Sequence, residues 1–164
     1  MTSLKLDQID LRILEAIQHD GRITKLALAE KVGLSPTPCW MRLRKLEKAG
    51  IIDGYHARLS LRSLSPIATV MTEVTLGAHR QADFDRFERA IRDIPEIVGC
   101  WSLGGGIDYL LKIMAPDIDA YQRLIDSLLE QDIGIARYFT YIVTRIVKDE
   151  MAVPLSRLTP LDGV

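Results

Sequence analysis

Cysteine is scarce in this chain: Cys39 and Cys100 are the only two in 164 residues. Two are too few for a disulfide framework, and no metal-ligand spacing accompanies them. The three histidines, His19, His56 and His79, lie far apart in sequence and form no ligand set either. No stretch approaches the ~18 uninterrupted apolar residues that a membrane span needs. The N-terminal MTSLKLDQIDLRIL scatters charges where a secretory signal would keep an apolar run, so a cytoplasmic location is expected. There is no internal repeat and no low-complexity segment. Paired carboxylates and an activated nucleophile are missing as well. Cys39 is expected to face a core, and Cys100, beside Trp101 on a strand, to be a buried structural thiol. A redox role for either is unsupported, and the reading is of a protein that is not an enzyme and carries no metal or cofactor.

What is present is an ordinary globular composition, 48% hydrophobic and 26% charged, with a net charge of -1 that hides an asymmetry. Residues 1–60 carry 10 Lys+Arg against 7 Asp+Glu, and residues 61–164 carry 11 against 15. A basic front and an acidic back point to two parts with different partners.

The front part reads as three short helices. Asp7 can cap DQIDLRILEAIQHDG, where Ile9, Ile13, Leu14 and Ile17 fall at helical spacing and Gly21 closes the end. Thr24 can cap KLALAEKV, which Gly33 stops, and Ser35 can cap a third helix that runs to Gly50. Pro36 and Pro38 fit that helix because its first-turn N–H groups have no helical partner to lose. IIDGYHARLSL follows, read as two extended runs turning at Asp53-Gly54, a small wing. The texture changes around SLRSLSP.

The back part reads as β-α-β-β-α-β. IATVMTEV alternates, with Val70, Val74 and Leu76 on one face and Thr69, Met71 and Glu73 on the other. Phe84, Phe87 and Ile91 share one helix face, and Pro95 ends that helix. IVGCWSL and IDYLLKIM are strands joined by Gly104-Gly105-Gly106. Tyr121, Leu124, Ile125, Leu128 and Leu129 mark an amphipathic helix, and IARYFTYIVTRIV reads as a last strand. The expected class is α+β: a winged helix-turn-helix over residues 1–58, a linker at 59–66, a ferredoxin-like unit over 67–150 and a mobile tail at 151–164. Apolar residues on both faces of the last strand imply that a second subunit covers the sheet face left bare by the helices.

The third helix carries the first chemistry. With Leu43 at zero and about 100° per residue, Cys39, Leu43 and Leu46 point inward. Thr37, Met41, Arg44, Lys45 and Lys48 spread over the opposite side, and Arg42 adjoins them. A cationic face with short donors near its leading turn is what a major groove accepts: phosphates take Lys and Arg, and base edges take short donors. A basic face is more often merely solvated. A preceding short helix, a turn at Gly33 and a following wing give the context that groove docking requires. The second feature is LGGGIDYLLKI. Three successive glycines expose backbone N–H groups that could cradle a carboxylate, and Asp108 could hold an ammonium. A plain hairpin turn explains the same glycines.

DGRITKLALAEKVG followed by LSPTPCWMRLRKLEKAGII resembles the DNA-binding domain of the leucine-responsive regulatory protein and asparagine synthase regulator family, Lrp/AsnC. Two prolines in a recognition helix's first turn make the likeness specific, and it extends over nearly the whole chain. The resemblance implies that residues 25–44 form the helix-turn-helix, with Ser35, Thr37, Arg42, Arg44 and Lys45 where the family contacts DNA. Thr24, Lys25, Met41 and Lys48 complete the candidate DNA-binding set; Trp40 is read as packing. It also implies an amino-acid or related effector bound between dimers, with Leu103, Gly104, Gly106, Asp108 and Tyr109 as its residues, and Thr140 and Thr144 added from the last strand. The expected partners are double-stranded promoter or operator DNA and further copies of the chain, as a homodimer assembling to an octamer, with no membrane. The function implied is sequence-specific transcription regulation modulated by that effector. An architectural DNA-wrapping protein is the alternative, disfavoured by the modest total charge.

Overall fold

A computed structural model describes residues 4–158, apart from the side chain of Arg62. The chain divides into two compact units: one built from the chain up to Arg58 together with the segment from Lys148 onward, the other from Leu59–Val147.

The first unit packs α1 (Gln8–His19), α2 (Lys25–Val32) and α3 (Pro36–Lys48) around Leu11, Ile13, Leu14, Leu28, Val32, Cys39, Leu43 and Leu46, all buried. Its helix ends are locally encoded. Asp7 accepts from the N–H groups of Ile9 and Asp10, and the Asp10 side chain accepts in return from the Asp7 N–H, a reciprocal capping box. Thr24 caps α2 through the Ala27 N–H at 3.2 Å. Gly33 ends α2 at φ +74°, a left-handed conformation that glycine adopts at little cost. Ser35 occupies the N-cap position of α3, but its side chain makes no capping hydrogen bond.

Two further expectations fail in this unit. No paired strands form over residues 51–60, so the wing is not a regular hairpin. A lone two-stranded ribbon has little to hold it. Here side chains hold the segment instead: Tyr55 donates to Glu47 at 3.0 Å, and Arg58 donates to the carbonyl of Asp149 at 2.6 Å. The C-terminal segment, expected to be mobile, packs on α1 as far as it is described. Gln18 exchanges two hydrogen bonds with the backbone of Val153, Glu15 accepts from the Ser156 N–H, and a short helix, α6 (Leu155–Leu158), brings Leu155 onto the core. The rest of that tail, 159–164, lies outside the described residues.

The second unit opens with a 3-10 turn at Leu61–Ser63 and continues β1 (Ala68–Leu76), α4 (Gln81–Ile91), β2 (Ile97–Ser102), β3 (Tyr109–Ala115), α5 (Ile118–Glu130) and β4 (Ile135–Ile142). The sheet is antiparallel in the order β2-β3-β1-β4, the ferredoxin-like arrangement. Val70, Thr72, Val74 and Leu76 on β1 and Tyr109, Leu111, Ile113 and Ala115 on β3 bury one face under Phe87 and Ile91 of α4 and Tyr121, Ile125 and Leu128 of α5. The one buried polar group of β1 is satisfied: the Thr72 hydroxyl meets Tyr121 at 3.1 Å, and Tyr121 meets Thr140 at 2.6 Å. Strand β4 stops at Ile142 rather than continuing to 147. Strand β1 begins at Ala68, so beyond the bond from the Val143 N–H to Thr69 the chain has no partner strand.

The other sheet face carries Met71, Trp101, Phe139 and Tyr141. The last three are about half exposed, at 48%, 47% and 50%. The Trp101 ring folds over Gly99, where a Cβ would stand 2.6 Å from it, so the glycine makes room for the indole.

Candidate DNA interface and effector site

Helix α3 is held by its inner residues Cys39, Leu43 and Leu46, which are 1%, 7% and 1% exposed. That anchoring turns Thr37, Met41, Arg44, Lys45 and Lys48 to solvent on one face. The αL turn at Gly33 brings α2 beside it, so Thr24 and Lys25 at the α2 N-terminus and Ser35 at the α3 N-terminus are exposed too. Arg42 is different. Its guanidinium donates to Asp7 at 2.6 Å and Asp10 at 2.8 Å, which ties α3 to the capping box of α1. Burial would raise the Asp7 carboxyl, but hydrogen bonds from Asp10, Arg42 and Ile9 together hold it below its ordinary value of 3.8. The Arg42 charge is thereby offset by two carboxylates, whereas Lys45 and Lys48 make no ion pair among the described residues. Arg44 has one loose carboxylate neighbour, Glu47 at 3.7 Å. Trp40 packs partly on the core, as expected, but Lys25 and Arg44 also lie over its ring.

In the second unit, the loop joining β2 and β3 is shaped by backbone bonds at its base. The Leu103 N–H donates to the Asp108 carbonyl, and the Asp108 N–H donates to Val74. Gly104, Gly105 and Gly106 have open space where a Cβ would sit, so no close approach explains them. The Asp108 carboxylate accepts from the Leu76 N–H at 2.7 Å and meets His79 Nε2 at 3.1 Å. Tyr109 is only 2% exposed and packs on Phe87, with ring centroids 4.6 Å apart. Its hydroxyl donates to Glu88 at 2.8 Å; burial first, and then the Glu88 carboxylate, push the phenol up.

The seven effector candidates therefore do not form one cluster. Leu103, Gly104, Gly106 and Asp108 share the loop, and Tyr109 follows it as a core residue. Thr140 is engaged with Tyr121 on the helix-covered side of β4. Thr144 lies past the end of β4, so it does not share a strand face with Thr140. Beside the loop, an open cleft of about 380 Å³ is lined by Glu88, Ile91, Arg92, Cys100, Ser102 and Tyr109. Cys100 is exposed there rather than buried, because β2 is an edge strand whose helix side is incompletely covered. Partial burial, with Glu88 nearby, still pushes its thiol up to about 11, the opposite of an activated nucleophile.

Sequence reasoning missed the carboxylate partners of Arg42 and Tyr109 and the His79–Asp108 contact. These join residues 35, 21 and 29 positions apart and leave no local signal. Arg44 four residues after Trp40 was a legible helical pair. Among the described residues no group of three or more His, Cys, Asp or Glu could hold a metal, and no helix is long and apolar enough to cross a membrane.

Comparison with known proteins places both units. Residues 6–53 match the winged helix-turn-helix DNA-binding family, and residues 69–153 match the Lrp/AsnC ligand binding domain. The chain is 54% identical over 145 residues to the transcriptional regulatory protein DoeX of Halomonas elongata, covering 88% of this chain and 92% of that one. It is 41% identical to the leucine-responsive regulatory protein of Escherichia coli, covering 87% of each. Among solved structures, a transcriptional regulator of Neisseria meningitidis in complex with L-Met superposes with a TM-score of 0.86 at 33% identity, over 93% of this chain and 99% of that one. With a helix-turn-helix whose basic face is exposed and a ligand-binding fold following it in sequence, the chain belongs to the Lrp/AsnC family of DNA-binding transcriptional regulators.

Proposed function

We propose that this regulator reads a specific operator in the cytoplasm through the exposed face of α3, and that an amino acid or close derivative bound in the C-terminal unit sets its DNA affinity or its assembly. One observation carries the first half: Thr37, Met41, Arg44, Lys45 and Lys48 share one exposed, acid-poor face of α3, with Ser35, Thr24 and Lys25 beside its leading end. Lys and Arg supply phosphate contacts, while Thr37 and Met41 are the short polar and apolar groups suited to base edges. Arg42 serves as a strut to α1 rather than as a free phosphate ligand.

The second half is supported by one relative named for its response to leucine and by another, the Neisseria meningitidis regulator, whose structure is a complex with L-Met. A zwitterion fits the neighbourhood of the glycine loop. Leu103, Gly104 and Gly106 offer backbone groups, Asp108 offers a carboxylate, and the adjoining cleft offers Glu88 and Arg92 as further complements. Tyr109 acts here from within the core, by placing Glu88. Thr140 and Thr144 stand apart from this constellation. The half-exposed Trp101, Phe139 and Tyr141 support a homodimer across the bare sheet face; assembly of dimers towards an octamer is what the family resemblance implies. Two reading heads about 34 Å apart would then face successive turns of one DNA face.

The deciding experiment is fluorescence anisotropy with the DNA upstream of the protein's own coding region against a scrambled duplex, over a salt series. A preference of about a hundredfold, or about 2.7 kcal/mol, is expected. Equal affinities that collapse steeply with salt would favour the architectural reading. Amino acids added to the specific complex should shift either affinity or oligomer size; identical behaviour with every one of them would refute the effector half.

A further inference from the structure

Trp40 stands on α3 between the buried and the exposed faces, and core packing accounts for only part of its surface. The remainder of the ring faces cations. Lys25 Nζ lies 3.5 Å from the ring centroid, and the Arg44 guanidinium carbon lies 5.2 Å from it. Lys25 is the first residue of α2, and Arg44 sits one turn beyond Trp40 on α3. Charges from both helices of the helix-turn-helix thus converge on a single indole.

We infer that Trp40 is a positioning residue for DNA binding: its ring holds Lys25 and Arg44 in place before DNA arrives. The inference rests on the reading of the α3 face as the DNA interface. Its physical basis is the contrast with Arg42. A carboxylate orients a cation by neutralising it, as Asp7 and Asp10 do to Arg42, and a neutralised cation attracts phosphate weakly. An aromatic face attracts a cation through its quadrupole and leaves the net positive charge intact. Lys25 has no ion-pair partner among the described residues, so the ring is its main orienting group, and the ring shares Arg44 with the loose contact from Glu47. Holding two long side chains in advance removes part of the ordering entropy that docking would otherwise cost.

The test uses the full-length chain and a mixed-sequence duplex at low salt, where phosphate contacts suffice and no operator need be known. Trp40→Leu keeps an apolar side chain but removes the π face; it should weaken DNA binding by about fivefold, and Trp40→Phe by about twofold. Both variants should melt close to the parent. The salt slope should be unchanged for Trp40→Leu, whose cations remain, and reduced by about 0.9 for Lys25→Gln. Combining Trp40→Leu with Lys25→Gln should cost less than the product of the single effects. Parental affinity in Trp40→Leu, multiplicative effects in the double variant, or losses that merely track melting temperature would each overturn the positioning role. Lys45→Ala separates the two levels: if it weakens binding while Trp40→Leu does not, only the positioning role fails. If neither matters, the DNA-interface reading fails with it.

Discussion

The two units display their functional groups in opposite ways. In the first, one helix carries nearly the whole candidate interface. Residues at helical spacing face outward because Cys39, Leu43 and Leu46 of the same helix are buried. In the second, the groups around the glycine loop come from β1, α4, β2 and β3, and each is placed by a contact remote in sequence: Asp108 with Leu76 and His79, Tyr109 with Glu88. An interface carried by one helix face tolerates substitution of its outer residues without loss of fold. A site assembled across a sheet shares its residues with the core, so function and stability are harder to separate there.

That contrast can be broken first at the core of the second unit. Phe87 is fully buried against Tyr109, and Phe87→Ala should cost about 3–5 kcal/mol. Calorimetry should show a lowered transition for this unit, and effector binding should be lost with it, because Tyr109 and Glu88 lose their support. A single α3 variant such as Lys45→Ala should leave the melting temperature unchanged.

Arg42→Ala is the sharper test within the first unit. Although it lies beside the DNA-facing residues, its loss should cost about 1–2 kcal/mol of stability, because Asp10, only 5% exposed, keeps the Asp7 N–H but loses its cationic partner. Urea unfolding should register the change, while the salt slope of DNA binding should stay near the parental value. A slope reduced by about 0.9 with unchanged stability would instead make Arg42 a phosphate ligand.

Removing residues 151–164 should have a smaller effect, about 1 kcal/mol, by exposing the α1 surface under Leu155 and freeing Gln18 and Glu15. Hydrogen exchange in α1 should rise accordingly, and unchanged exchange would mean the tail contributes nothing. The smallest effect is pH-dependent. The Asp7 carboxyl is held below its ordinary 3.8, so its contribution is fully present above that value and is lost as pH falls through its folded value. The stability gap between the parent and Asp7→Asn should therefore be flat near neutrality and close below about pH 4 in acid titration.

How much of this was legible follows the same division. The caps at Asp7 and Thr24, the stop at Gly33, the inward set of α3 and the inward set of β1 could all be read from residue type and spacing. The β-α-β-β-α-β order could be read in the same way. The hairpin expected at Asp53-Gly54 did not form, because turn chemistry specifies a bend while strands need partners, and side chains tie this segment down instead. Strand β4 ends five residues short of the expected Val147 for the same reason: apolar residues continue to Val147, but β1 offers them no partner. Cys100 reads as buried from its neighbours, yet β2 is an edge strand, a property of sheet order and not of composition.

By itself, then, the sequence determined the elements, their order, the buried stripe of each helix and the cationic outer face of α3. All of these depend on interactions within a few residues along the chain. Only the tertiary structure decided that Arg42 turns inward to Asp7 and Asp10, that Lys25 meets Trp40, that Tyr109 sits in the core holding Glu88, and that the C-terminal segment clasps α1. Those depend on which distant groups the packed elements bring within about 3–4 Å, a distance at which charge and hydrogen bonding outweigh local preference.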